Sequence, residues 1–556
     1  MDLKILHCRL GTKTPYRFIG YQNDTPIEYP GCEPKKIWLV LRHGTRYPGK
    51  KNVPNMIKNL PELQKIILNN YKMNKTNLSR DTITKLNKWK LKFTKNDMMN
   101  LAKEGENEMI DLGERYQSRF PTIMPETYDK RSYKFKYTAT QRTEESAKHF
   151  AAGLFGWHNS QKVRYPKPKH KDPILRFYKR CTRWRNEVEK NKSAHIEKTK
   201  FLKSEILATA VKNVSKTIGH RVNYETVHLI YGMCAFETAW YKDTDSPWCE
   251  LLSLDDFKIL EFADDIEYYW IDGYGYKITY EQACVVLLDI FNFFSEDNDT
   301  LASIYFTHSG TILKLLARLG VAKDKDPLTH DSFLSHVDNR AWRTTYIDAF
   351  ASNIAFVLYD CKSQGPSILF MHQERVVYLP NCPKNMPCPL STMKDLYPST
   401  EEECQFDVMC NSMKGRRTRP GLVDASNNII PTTVRFMSSY VLGFDACSKE
   451  HLGVPQDGLK KIMSKWSLIR GEFLEKNVYE GVSWSPNIID DDSNSMPGLV
   501  IKHAQSVRIL ERLINHSLAS NWRVLQQHRA RKVNASIPAD VQQRLPLRSR
   551  HRPCDT

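Results

Sequence analysis

The sequence predicts an α/β fold in which two short buried strands each deliver a histidine to the same end of a sheet. Residues 36–42 (KIWLVLR) and 303–307 (SIYFT) are short apolar runs rich in branched residues, the pattern of strands buried on both faces. The first is followed by residues 43–48, with the Gly, Thr and Pro of a turn; the second by His308-Ser309-Gly310 and a helical pattern over residues 312–319. Ligands of open α/β sheets bind beyond the carboxyl ends of the strands. His43 and His308 are therefore candidate functional residues on position alone. Between the strands, Ile174, Phe177, Trp184 and Val188 recur at helical spacing among many Lys and Glu, and residues 205–214 continue the pattern. A helical subdomain inserted at about residues 160–300 is expected.

A chain of 556 residues suggests more than one folding unit. With 41% hydrophobic, 11% aromatic and 26% charged residues, the composition is that of a globular protein and excludes wholesale disorder. Residues 386–398 are Pro-rich and close a first region of residues 1–413. Residues 414–420 (KGRRTRP) read as a basic linker into a mostly helical basic tail, 414–556, which carries 22 Lys+Arg against 13 Asp+Glu. Two amphipathic helices are expected there, at 458–474 and 501–525; the second puts Val507, Leu510, Leu513, Ile514, Leu518, Trp522 and Leu525 on one face. Residues 523–552 are polar, basic and expected to be flexible.

The net charge of +19 favours a polyanionic partner: nucleic acid, anionic lipid or a phosphorylated small molecule. A cluster such as Arg529-Ala530-Arg531-Lys532 suits lipid or RNA, but it lacks the interleaved aromatics of single-strand binding, so nucleic acid is not the expected partner. Eleven cysteines precede residue 414. Cys382-x5-Cys388 and Cys404-x5-Cys410 are too loosely spaced for a zinc ribbon, which leaves disulfides or buried thiols. Asn23, Asn74, Asn77, Asn191, Asn213 and Asn298 each begin a glycosylation sequon. Residues 1–10 (MDLKILHCRL) contain no signal-peptide apolar region, so either the protein is intracellular or an upstream signal is missing from this chain. No run is long enough for a membrane span.

The chemistry concentrates in residues 42–48, Arg42-His43-Gly44-Thr45-Arg46-Tyr47-Pro48, which fit R-H-G-x-R-x-P. Five fixed positions match by chance in a chain this long with odds on the order of 10⁻⁴. A neutral imidazole can attack phosphorus and hold the phosphoryl group covalently, splitting hydrolysis into two easier steps. Guanidinium forks match the equatorial phosphate oxygens bidentately. Arg42 and Arg46 flank His43 on the turn, and Gly44 lets the backbone approach closely.

This motif marks a resemblance to the histidine acid phosphatases, and the chain over about residues 9–413 resembles their multiple inositol polyphosphate phosphatase branch. The pattern Leu101-x3-Gly105-x3-Met109-x2-Leu112-Gly113-x-Arg115-Tyr116 is similar to the family's helix after the motif. Tyr137-Thr138-Ala139-Thr140-Gln141-Arg142 is similar to its second strand, with Arg142 at a phosphate-binding arginine. Ser246-Pro247-Trp248-Cys249, Gly273-Tyr274-Gly275-Tyr276 and Asp326-Pro327-Leu328-Thr329 resemble the inositol phosphatase branch in particular. The resemblance implies a histidine-phosphatase-like central sheet flanked by helices, and a phosphomonoester hydrolase acting on inositol polyphosphates, phytate included, through a phosphohistidine on His43. It implies that His308 donates hydrogen bonds to the transferring phosphate and that Arg42, Arg46 and Arg142 bind it. No cofactor or metal is implied, because arginines supply the positive charge. Lys50 and Lys51, just after the motif, are candidates for the spectator phosphates. It also implies the disulfides Cys32 to Cys361 and Cys234 to Cys249, and with them the secretory pathway.

Two positions depart from the family. An acid normally follows the second histidine, as His-Ala-Glu or His-Asp, and protonates the leaving alkoxide; here Ser309 and Gly310 stand in those places. General acid catalysis typically contributes about 10²–10⁴-fold. Glu144, Glu145, Asp331 and Asp348 are alternative proton sources, as are the substrate's own phosphate and water. The alternative reading is an impaired phosphatase that binds inositol phosphates, and a third is a nucleic-acid-binding protein acting through the tail.

Overall fold

The strands around the first histidine form a single mixed sheet. The computed structural model describes residues 8–21 and 24–411. The tail expected from residue 414 onward, its two helices and its basic cluster lie outside the described residues. Strands β1 (Cys32–Arg42), β2 (Tyr133–Tyr137), β3 (Ala302–Thr307), β4 (Asn353–Cys361), β5 (Gly365–His372), β6 (Arg375–Val376) and β7 (Cys388–Pro389) lie in the order β2-β3-β1-β4-β5-β6, with β7 also on β5. β2, β3 and β1 are mutually parallel, and β4 and β5 follow antiparallel. β3 is buried along its whole length and β1 from Ile37 onward, as parallel strands covered on both faces must be.

Alternation along β1 divides the core. Trp38 and Val40 pack on one face with Phe356, Ile354 and Phe370, whereas Ile37, Leu39 and Leu41 pack on the other with Ile304, Phe306, Met109 and Phe150. The main helices are α1 (Asn52–Lys72), α2 (Lys103–Arg119), α3 (Gln141–Ser160), α4 (Glu205–Ile218), α5 (Tyr224–Trp240), α6 (Leu254–Asp272), α7 (Cys284–Ser295) and α8 (Ser309–Arg318). Helices α2 and α3 cover the second face. Helices α4 to α7, which separate α3 from β3 in the chain, build the core on the first face.

The helical expectation from residue 171 onward holds only in its second half. Residues 177–195 form short 3-10, α and π turns instead of one helix. Asp172 Oδ1 accepts from the Ile174 and Leu175 amides, and Asn191 Oδ1 from Ser193, so side chains take the backbone donors that a helix would use. Regular helix is established at α4, whose Ser204 N-cap accepts from Leu207 and whose C-cap Gly219 is left-handed at φ 67°. A Cβ on Gly219 would also lie 2.3 Å from the Lys75 carbonyl, so glycine is required there twice over.

Ten cysteines form five disulfides among the described residues: Cys32–Cys361, Cys181–Cys410, Cys234–Cys249, Cys284–Cys404 and Cys382–Cys388. Both pairings implied by the resemblance are present. Cys32–Cys361 crosslinks two residues that face each other across β1 and β4.

The loop after β1 is clamped on α2. A Cβ on Gly44 would meet the Gly105 carbonyl oxygen at 2.4 Å, and one on Gly105 would meet the Thr45 oxygen at 2.2 Å. Both contacts are with backbone, which cannot rotate away. Gly105→Ala should therefore cost about 1–3 kcal/mol, as overpacking does, and lower the thermal midpoint of the folded chain.

Candidate active site

Six parallel pairs, ending at Arg42 with Thr307, bring the last residues of β1 and β3 side by side. The His43 amide continues the ladder by donating to the Thr307 carbonyl at 3.0 Å, and the His43 carbonyl accepts from Ala351 at 3.2 Å. Ala351 holds a left-handed conformation at φ 58°, a strained backbone for a residue with a Cβ. The two imidazoles consequently face each other with ring centroids 5.6 Å apart, and both are buried.

His43 Nδ1–H donates to the Gly44 carbonyl at 2.9 Å. A carbonyl can only accept, so this bond fixes the tautomer and leaves the Nε2 lone pair free. Burial, then Arg142, Arg42, Arg46 and His308, press the pKa of His43 well below the ordinary histidine value, which keeps the ring neutral in mildly acidic solution. His308 is likewise depressed, by burial first and then by Arg142, Arg176, Arg46 and Arg42. Its Nδ1 accepts from Arg142 Nη2 at 3.2 Å, so Nε2–H is the donor to Thr138 Oγ1 at 2.9 Å.

Four arginines converge on this pair. Arg42, on β1, donates Nη1 to the carbonyls of Thr12 (2.8 Å) and Asp348, and its guanidinium lies 4.8 Å from the Phe350 ring centroid. Arg46 donates to the Tyr47 carbonyl at 2.8 Å, and Arg142 projects from the first turn of α3. The fourth, Arg176, was not singled out in the sequence; it lies in the irregular segment before α4. The Nε atoms of all four are buried without a hydrogen-bond partner. Burial and the neighbouring cations lower Arg46 to about 9 and Arg142 to about 10, as expected of like charges crowded together out of water.

Behind the loop, Glu108 of α2 takes the Thr45 amide at 2.7 Å, the Thr45 hydroxyl at 3.0 Å and the Tyr16 amide at 3.0 Å. Ser146 accepts from the Gly44 amide at 3.1 Å. Lys50 and Lys51 are exposed on the turn before α1, and neither joins an ion pair among the described residues. Glu144 and Glu145 both pair with Lys148 at 3.0 Å, and Asp331 is exposed and accepts from the Thr329 hydroxyl. Asp348 is fully buried, with its Oδ2 on the Ser309 hydroxyl and 3.4 Å from Arg42 Nη1. Gly310 leaves little room: a Cβ there would stand 3.3 Å from Asp272 Oδ1 and from Tyr178 Cζ. Among the described residues no group of three or more His, Cys, Asp or Glu is placed to hold a metal ion.

Residues 35–374, which carry both histidines and all four arginines, match the family model of the histidine phosphatase superfamily, branch 2. The chain belongs to that superfamily. Within it, the chain is 30% identical to multiple inositol polyphosphate phosphatase 1 of Drosophila melanogaster, over 78% of this chain and 93% of that protein. In fold it is similar to a phytase from D. castellii, with TM-score 0.59 and 17% identity over 73% of this chain and 87% of that one. It is also similar to the multiple inositol polyphosphate phosphatase of Bifidobacterium longum, solved in complex with inositol hexasulfate, with TM-score 0.53 and 14% identity over 68% of this chain and 95% of that one.

Burial first, then Glu104, raise the Glu108 carboxyl to about 7. The folded chain therefore holds this proton more tightly than the unfolded chain, and the group's contribution to stability falls as pH rises from the ordinary glutamate value of 4.5 towards 7. Glu108→Gln loses hydrogen-bond acceptors and should melt below the parent at pH 4.5. The gap between the two thermal midpoints should narrow by pH 8, because only the parent pays to ionise.

Proposed function

We propose that the chain hydrolyses phosphomonoesters of inositol polyphosphates, phytate among them, through a phosphohistidine at His43. The carrying observation is the set of four buried, unpartnered guanidinium Nε atoms around the histidine pair, in which His43 is neutral with its Nε2 free. Buried donors are normally satisfied, and a phosphate group presents acceptors in the geometry that guanidinium forks match.

In this reading Nε2 of His43 attacks phosphorus as the bond to the inositol oxygen breaks, and water then cleaves the N–P bond to release orthophosphate. Arg42, Arg46 and Arg142 bind the equatorial oxygens, and Arg176 adds positive charge beside His308. Entry of a phosphate dianion reverses the local potential and favours protonated His308, which then offers Nδ1–H to a phosphate oxygen. Exposed Lys50 and Lys51 take spectator phosphates. The similarity to enzymes named for inositol polyphosphates supports this substrate class.

The same reading places the protein in the secretory pathway or outside the cell. Five disulfides suit an oxidising compartment. The sequon residues Asn74, Asn77, Asn191, Asn213 and Asn298 are all exposed. Among the described residues no helix is long and apolar enough to cross a membrane.

The test is phosphate release from inositol hexakisphosphate by the purified full chain. His43→Ala should abolish release and also abolish acid-labile phosphoprotein trapped by rapid quenching. Arg142→Ala should lower kcat by about 10²–10³-fold, as loss of one preorganised charge donor does. A parent that binds the ligand but releases no phosphate would replace hydrolysis with binding.

A further inference from the structure

We propose that Ser309 hands the proton to the leaving oxygen and that Asp348, hydrogen-bonded behind it, supplies that proton and later recovers it. The inference rests on the hydrolase reading above and deepens it by naming the proton source.

The other carboxyls are otherwise engaged. Glu144 and Glu145 share Lys148 on the outer side of α3. Asp331 is exposed, and the Thr329 hydroxyl holds it below the usual carboxylate range. Asp272, at the end of α6, is locked against buried Lys314 of α8, which in turn lies 4.3 Å from the Trp184 ring centroid.

Asp348 differs in each respect. It has no exposed surface, its Oδ1 has no hydrogen-bond partner, and its Oδ2 meets the hydroxyl of Ser309, the residue directly after His308. Its backbone is fixed as firmly as its side chain. The Asp348 amide donates to Thr344, and Thr344 is tied to buried Asp265 of α6 through its amide (3.0 Å) and its hydroxyl (2.5 Å). The groups facing the carboxyl are Arg42 from β1, Ser309 from α8, and Asp272 and Tyr268 from α6. Burial, and less strongly Asp272, push the carboxyl up to about 7 against the opposing pull of Arg42 and Ser309. In acidic solution it is therefore a neutral acid, and its O–H donates to Ser309 Oγ.

The proton balance closes over both steps. As His43 Nε2 bonds to phosphorus, the P–O electron pair stays on the inositol oxygen. That oxygen takes the Ser309 hydroxyl proton, and Ser309 Oγ takes the carboxylic proton of Asp348. The new carboxylate is held by Arg42, 3.4 Å away. When water attacks the phosphohistidine, the N–P pair returns to Nε2, and the water's proton passes through Ser309 to Asp348. Ser309 is the group that touches substrate; Asp348 acts through it.

Two substrates separate this role from a structural one. Inositol hexakisphosphate has an alkoxide leaving group that needs a proton, whereas the nitrophenolate of p-nitrophenyl phosphate leaves without one. In the full chain, Asp348→Asn and Ser309→Ala should each lower kcat for inositol hexakisphosphate by about 10²–10⁴-fold, the usual worth of a general acid, and lower it far less for p-nitrophenyl phosphate. The parent's kcat for inositol hexakisphosphate should fall as pH rises through about 7, and that limb should be missing in Asp348→Asn. Equal losses on both substrates, or no loss on either, would overturn the relay and leave the phosphatase intact. A parent inert towards both substrates would overturn the hydrolase reading, and the relay with it.

Discussion

The parallel zipper of β1 and β3, from Ile37 with Ala302 to Arg42 with Thr307, is the constraint on which the site depends. Each strand alone ends in a histidine that could point anywhere. Paired in this register, they bring two imidazoles into an edge contact where the following helix, α8, begins. A shift of one residue would turn every side chain of β1 to the opposite face, taking Trp38 and Val40 out of the core they share with Phe356. The hydrophobic pattern of β1 thus protects the chemistry by making any other register expensive. The antiparallel β4 and its disulfide from Cys361 to Cys32 brace the opposite edge of β1.

The electrostatics of the pocket follow from burial as much as from sequence. Burial first, and then the fields of the neighbouring guanidinium groups, press both imidazoles towards the neutral form. The same cations that give the pocket its positive potential also help to keep His43 deprotonated. Of the carboxyls nearby, Glu108 is spent on positioning Thr45, Asp272 is paired with buried Lys314, and burial suppresses the charge of Asp348.

Much of this was legible along the chain because the signals are local. Strand, turn and histidine lie within a dozen residues at His43 and again at His308, and Arg142 follows its own strand directly. The parts that were not legible come from distant segments meeting. Arg176 sits in a stretch whose helical periodicity gives way to turns once Asp172 and Asn191 take the backbone amides. Asp348 was one of several carboxyls until the fold buried it against Ser309, thirty-nine residues earlier in the chain. No spacing rule carries that contact, because it is made by the loop before β4 folding back over the end of β1. Residues 177–195 show the converse: apolar spacing fixed which side chains are buried, Trp184 and Val188 among them, without fixing the backbone that carries them.

The two glycines beside His43 and the one after His308 differ in what surrounds them. Gly44 and Gly105 are pressed backbone to backbone, so neither can gain a side chain unless a helix and a loop move together. Around Gly310 the nearest atoms are side-chain atoms of Asp272 and Tyr178, at 3.3 Å from where a Cβ would stand. Substitution is thus met unequally at the two ends: the loop that carries His43 is held by backbone on both sides, whereas the start of α8 is bounded by side chains alone.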